Sequence, residues 1–191
     1  MIGLAIRPAA LADIPAIAHI YAHAVRTGTA SFELEAPDEA EMMRRMQHLL
    51  DGRFPYLVAE VEGAVAGYAY ASLYRTRPAY RFTVEDSVYV APERHGRGIG
   101  RALLAALIEA SAARGFRQMI AVIGDSEQTA SIALHAALGF APIGTFPNIG
   151  FKFGRWLDTV LMQRALGPGS SVPPQDVEAK PHRGSPGDNL H

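Results

Sequence analysis

No cysteine occurs anywhere in the 191 residues. A disulfide framework, a thiolate zinc site and a cysteine nucleophile are therefore all excluded. Excess charge is lacking as well. The 18 Lys and Arg stand against 19 Asp and Glu, a net of −1, so no global basic field invites nucleic acid. No apolar run is long enough to span a bilayer, and the first residues lack the basic flank and apolar centre of a signal peptide. The expectation is a soluble, cytoplasmic protein without nucleic acid or membrane as partner. What is present, 49% hydrophobic and 19% charged residues, suffices to bury the core of one domain. From Gly167 to His191 the character changes: five prolines alternate with Gly and Ser, and this stretch reads as a flexible tail after a domain at 1–166. His182 and His191 lie in it without metal-ligand spacing.

Hydrophobic periodicity divides the remainder. A first helix starts at Asp13 as cap, with Pro15 in its first turn and Ile14, Ile17 and Ile20 on one face. Asp38 followed by Glu41 predicts a capping box for a second helix, whose stripe is Met42, Met46 and Leu49 and whose stop is Gly52. Thr27 to Glu35 reads as a loop with Phe32 as its one large apolar side chain. Glu62-Gly63 predicts a hairpin turn between strands Tyr56–Val61 and Ala64–Leu73. Tyr80–Val90 reads as a long strand. A helix to Gly115, a strand Phe116–Ile123, a helix Thr129–Leu138 closed by Gly139 and a strand Trp156–Gln163 follow. This order predicts a mixed α/β fold around a mainly antiparallel sheet.

The run from Val88 to Leu104 carries the chemistry. A strand ends at a proline turn, and Gly96, Gly98 and Gly100 then open directly into a helix. Glycines permit unusual backbone angles and close approach, and the first amides of a helix lack intrahelical acceptors. With Arg97 and Arg101 beside them, these amides form an anion site suited to a diphosphate. The same glycines would also serve as no more than a tight strand-to-helix connection. No Gly-Lys-Ser/Thr follows, which excludes a Walker loop, and the G-x-G-x-x-G dinucleotide spacing is missing.

The strand, proline turn, His95-Gly96-Arg97-Gly98-Ile99-Gly100 loop and helix, followed by a helix ending in Leu138-Gly139-Phe140, resemble the GNAT superfamily of N-acetyltransferases. The segments from Thr83 to Val90, from Leu134 to Phe140 and from Gly150 to Asp158 resemble its phosphinothricin and methionine sulfoximine branch. The likeness runs from about Ile6 to Leu166. It implies a sheet whose splayed strands form a notch for acetyl-CoA, and a homodimer without a metal.

Carried over residue by residue, the resemblance makes Glu85 the general base, since an α-ammonium must lose a proton before it attacks a thioester. His135 stands where many members have a tyrosine facing the departing thiolate; acid, auxiliary base and coenzyme contact all remain open for it. The backbone of Val88, Tyr89 and Val90 would bond the pantetheine arm. His95, Gly96, Arg97, Gly98, Ile99, Gly100 and Arg101 would hold the pyrophosphate, with Gln128 (where the family often has Asn) and Ser131 as further coenzyme contacts. Phe32, Arg75, Thr76, Arg77, Glu85, Asp86, Ser87 and Lys152 would surround the amino-acid acceptor, with Arg155 as another nearby cation. Arginine pairs bidentately with carboxylate, which suits a small acid bearing a free amine. The rival readings are acetylation of a protein N-terminus or polyamine, and an acyl-CoA sensor without turnover.

Overall fold

The computed structural model describes residues 3–174. Strands β1 (Leu4–Pro8), β2 (Tyr56–Val61), β3 (Ala64–Leu73), β4 (Thr83–Val90), β5 (Gln118–Gly124), β6 (Ala141–Lys152) and β7 (Arg155–Ala165) form one sheet in the order β1-β2-β3-β4-β5-β7-β6. All neighbours run antiparallel except β4 and β5. The helices are α1 (Ile14–Thr27), α2 (Glu39–Asp51), α3 (Ile99–Ala113) and α4 (Thr129–Ala137). The predicted mixed, mainly antiparallel class is what the chain adopts. Among the described residues no helix is long and apolar enough to cross a membrane.

Strand alternation sorts the side chains by size. Ala59, Ala66, Ala69 and Ala71 face one side with Val84, and there α3 packs closely through Leu103, Leu104 and Leu107. Tyr56, Val58, Tyr68 and Tyr89 face the other side, beneath Ile14, Ile17 and Val25 of α1 and Met42 and Met46 of α2. Rings of Tyr56, Tyr68, Tyr70 and Tyr89 stack across β2, β3 and β4 at centroid distances of 5.1–6.3 Å. The methionine stripe is core, as its helical spacing predicts.

Several boundaries differ from expectation. Asp38 caps α2 by accepting the Glu41 amide at 2.7 Å. The return half of the capping box is missing, because the Glu41 carboxylate binds Arg44 and Arg45 instead. Asp13 marks the start of α1 without capping it; both its oxygens take the Arg7 guanidinium at 2.8 Å, tying β1 to the helix entry. The long strand begins at Thr83, since Pro78–Tyr80 forms a 3-10 turn and the Tyr74 amide reaches the Thr83 carbonyl to close the loop. Of the segment read as a tail, 167–174 continues in turns, with Gly169 and Ser171 amides bonded to the Leu166 and Pro168 carbonyls. His182 and His191 lie outside the described residues.

Candidate active site

The sheet forks between its two parallel strands. β4 and β5 pair from Thr83↔Gln118 to Asp86↔Ala121, after which β4 continues to Val90 against β3 alone and β5 to Gly124 against β7 alone. The Ala91 amide donates to Ala66 across the β3 side. By alternation, the amides and carbonyls of Val88 and Val90 point the other way, into the fork. His95 closes its outer end, with Nε2 at 3.0 Å from the Val90 carbonyl oxygen. Apart from that carbonyl, no strand pairs with the backbone along this notch, which suits an extended, amide-bearing chain.

Beyond the fork the glycine loop turns the chain into α3. Gly96 and Gly98 have φ of 72° and 75°, left-handed angles that cost an L-residue roughly 1–2 kcal/mol. Gly98 is the N-cap of α3, so the amides of Ile99, Gly100 and Arg101 open the first turn without helical acceptors. Arg97 and Arg101 are exposed beside them. A Cβ on Gly100 would come into ordinary contact with Val90 of β4 and Leu134 of α4, so loop, strand and second helix converge there. The residues present fit a pyrophosphate.

On β4, Glu85 and Asp86 point to opposite faces. Glu85 shares its face with Ser87, with Ser72 opposite it on β3 and Ile120 opposite it on β5. Burial, and secondarily the neighbouring Asp86 charge, pushes its carboxyl up to about 7 against the pull of Arg75. A carboxyl so placed changes charge near neutrality, as a general base requires. Tyr70 lies opposite Ser87 and is bonded to it.

Asp86 faces α4, not the Glu85 side where the acceptor contacts are expected. Its Oδ2 lies 3.0 Å from Nε2 of His135, while Nδ1 of that ring donates to the Ser131 carbonyl at 2.7 Å. Both residues are buried, and among the described residues Asp86 Oδ1 has no hydrogen-bond partner. Burial pulls the His135 pKa down, but the bond to Asp86 and its charge outweigh burial and raise it. Ser131 Oγ is a distant 3.5 Å from the same ring. The Gln128 side-chain nitrogen donates to Thr29 Oγ1 at 3.0 Å.

Arg75, Thr76 and Arg77 are exposed on the β3–β4 connection, with the Arg75 guanidinium over the Tyr74 ring. Phe32 lies across Gly124 at the end of β5 and Gly150 of β6. Two expected cations are committed elsewhere. Lys152 is 3% exposed and donates to the carbonyls of Gly28 and Ser31 at 2.9 and 2.7 Å. Arg155 pairs with Asp125 at 2.5 Å and Glu127 at 3.2 Å. Ser72, Tyr70 and Ile120 around Glu85 escaped the sequence reading, although the Glu62-Gly63 turn sets the β2–β3 pairing, on which the Ser72 position depends. Among the described residues no group of three or more His, Asp or Glu side chains is arranged to hold a metal.

Known proteins are similar to this chain in sequence and in fold. Residues 17–140 match the Acetyltransferase (GNAT) family. The chain is 57% identical over 163 residues to a phosphinothricin N-acetyltransferase of Alcaligenes faecalis, covering 85% of this chain and 83% of that one. It is 43% identical over 169 residues to an L-methionine sulfoximine/L-methionine sulfone acetyltransferase of Pseudomonas paraeruginosa, covering 88% and 98%. The crystal structure of a phosphinothricin acetyltransferase from Sinorhizobium meliloti in complex with AcCoA superposes with a TM-score of 0.89 at 50% identity, covering 92% and 95%.

Proposed function

Since this chain belongs to the acetyltransferase (GNAT) family, we propose that it moves the acetyl group of acetyl-CoA onto the α-amine of a small amino-acid analogue of the phosphinothricin, methionine sulfoximine or methionine sulfone type. The observation that carries the reading is Glu85, a half-buried carboxyl poised near pH 7 beside a fork lined with unpaired amides. Gly96 to Arg101 hold the coenzyme pyrophosphate, and the Val88 and Val90 backbone holds the pantetheine arm. Glu85 takes one proton from the α-ammonium, directly or through a water. The freed lone pair attacks the thioester carbonyl carbon, and an amide of the fork stabilises the oxygen as it becomes negative. The C–S bond then breaks, the coenzyme leaves as thiolate and takes up a proton, and the acetamide remains.

The cations at the mouth, Arg75 and Arg77, support an acceptor bearing an acid group more than a polyamine or protein N-terminus. The reading carries with it a cytoplasmic enzyme that inactivates toxic amino-acid analogues. It also includes a homodimer, supported by the exposed apolar side chains Ile143, Phe146, Ile149, Phe151, Phe153 and Trp156 along β6 and its turn into β7. The test is thiol release from acetyl-CoA with L-methionine sulfoximine as acceptor. Wild type turns over, Glu85→Ala loses about 10²-fold or more in kcat, and Arg75→Ala raises the acceptor KM. Turnover on peptides but not amino acids overturns the acceptor assignment; coenzyme binding without turnover on any amine makes the protein a sensor.

A further inference from the structure

Loop 28–33, between α1 and α2, is held from four directions. The Lys152 ammonium at the end of β6 reaches its Gly28 and Ser31 carbonyls. Gln128 at the start of α4 donates to Thr29, and Tyr21 of α1 shares a 2.9 Å hydrogen bond with Ser31. The Phe32 ring occupies space left by two glycines. A Cβ on Gly124 would lie 2.7 Å from that ring and 2.5 Å from the Thr29 carbonyl oxygen, and one on Gly150 would overlap the ring. Gly124 ends the free limb of the fork, so this ring stands at the edge of the site.

The Lys152 arrangement is costly. Burial holds the lysine pKa down, and the charge of Glu33 only partly offsets this. An ammonium in such a place is tolerated only because its hydrogen bonds are met, and both acceptors belong to one short loop. An apolar side chain would fill the volume without that penalty, but would leave two loop carbonyls unheld. We propose that Lys152, with Gly124 and Gly150, positions the loop and fixes Phe32 as the wall that sets acceptor specificity. Lys152 is thus a positioning residue acting through the loop and does not touch the acceptor carboxylate. The inference rests on the acceptor reading above.

Steady-state kinetics of the full-length enzyme, varying L-methionine sulfone and acetyl-CoA separately, test it on Phe32→Ala, Gly150→Ala, Lys152→Met, Lys152→Gln and the double variant Phe32→Ala/Gly150→Ala. A displaced wall raises the acceptor KM about tenfold or more in Gly150→Ala and Lys152→Met, while the acetyl-CoA KM stays within about twofold. Lys152→Gln, which keeps one donor group, recovers part of the loss. In the Phe32→Ala background, Gly150→Ala adds nothing, because no ring is left to displace. Amide hydrogen exchange, which needs no acceptor, rises in 28–33 for Lys152→Met and stays constant in β4. An equal effect of Gly150→Ala in both backgrounds, a joint rise of both KM values, or unchanged exchange in the loop overturns the proposal. If wild type does not turn over L-methionine sulfone, the acceptor reading itself falls; if it does and Phe32→Ala leaves acceptor kinetics untouched, the wall falls and the proposal with it; if Phe32→Ala alters them and the other variants do not, only the positioning role falls.

Discussion

Adjacent carboxylates on β4 meet opposite fates because a strand turns alternate residues to opposite faces. Glu85 lies on the face of the sheet that α1 and α2 cover, with its carboxyl pushed up to about 7, and it acts as a base only when deprotonated. kcat/KM is therefore expected to fall about tenfold per pH unit below neutrality and to level off above it. Arg75 opposes the shift, so Arg75→Ala moves the limb to higher pH in a pH–rate profile. The same shift weakens the fold. A carboxyl harder to ionise in the folded than in the unfolded chain loses stability as pH rises from its ordinary value to about 7. Glu85→Gln is accordingly expected to melt above wild type at pH 8 and level with it near pH 4. Asp86 has the reverse role, pairing in the core with His135. Asp86→Asn is expected to cost about 3 kcal/mol, because it removes one partner of a buried pair. The His135 pKa is raised, so the stability it contributes is fully present below its ordinary 6.5 and fades as pH climbs through the folded value. The gap between wild type and Asp86→Asn in thermal melts is therefore wider at pH 6 than at pH 9.

At the scale of elements, the loop into α3 is where local chemistry and function coincide. Gly98→Ala puts a Cβ on a residue with φ of 75° and distorts the amides that open the helix. The expected result is a rise of about tenfold in the acetyl-CoA KM, roughly 1.4 kcal/mol, with the acceptor KM unchanged in the same assay. This loop, the β2–β3 hairpin and the helices are all legible in the chain, because turn residues and apolar periodicity are local signals. The two strands that escape, β1 and β6, are the edges of the sheet. β1 is five residues ending in Pro8, and β6 contains Pro142 and Pro147. An edge strand tolerates a residue without an amide donor, whereas a sequence pattern counts the same residue against a strand. The register shifts of β6 at Pro142/Gly144 and Phe146/Gly150 show how the ladder steps around them.

Over the whole molecule, α1 and α2 cover β2 to β4 on the Glu85 side, and β6 is exposed from Ala141 to Ile149. A second copy is the occupant that the homodimer reading supplies. Sedimentation is expected to give twice the 20.6 kDa chain mass. Trp156→Asp, which places a charge on a side chain 60% exposed, is expected to shift the species to monomer without lowering the thermal midpoint of the fold. A wild-type chain that sediments as a monomer at all concentrations contradicts the dimer.

The helices, the β2–β3 hairpin, the class of sheet and the glycine loop were determined by the amino-acid sequence alone, because each rests on spacing within a few turns or one strand. Tertiary structure decided what each polar side chain meets. By resemblance Lys152 and Arg155 read as cations for the acceptor, yet the first binds carbonyls more than 120 residues away in the chain and the second pairs with Asp125 and Glu127. Glu85 and Asp86 are one residue apart and chemically alike, and only the packing of α4 against one face and the open fork at the other separates a base from a buried tie. Burial and charge pairing are long-range properties, and they come into being when the strands close into a sheet.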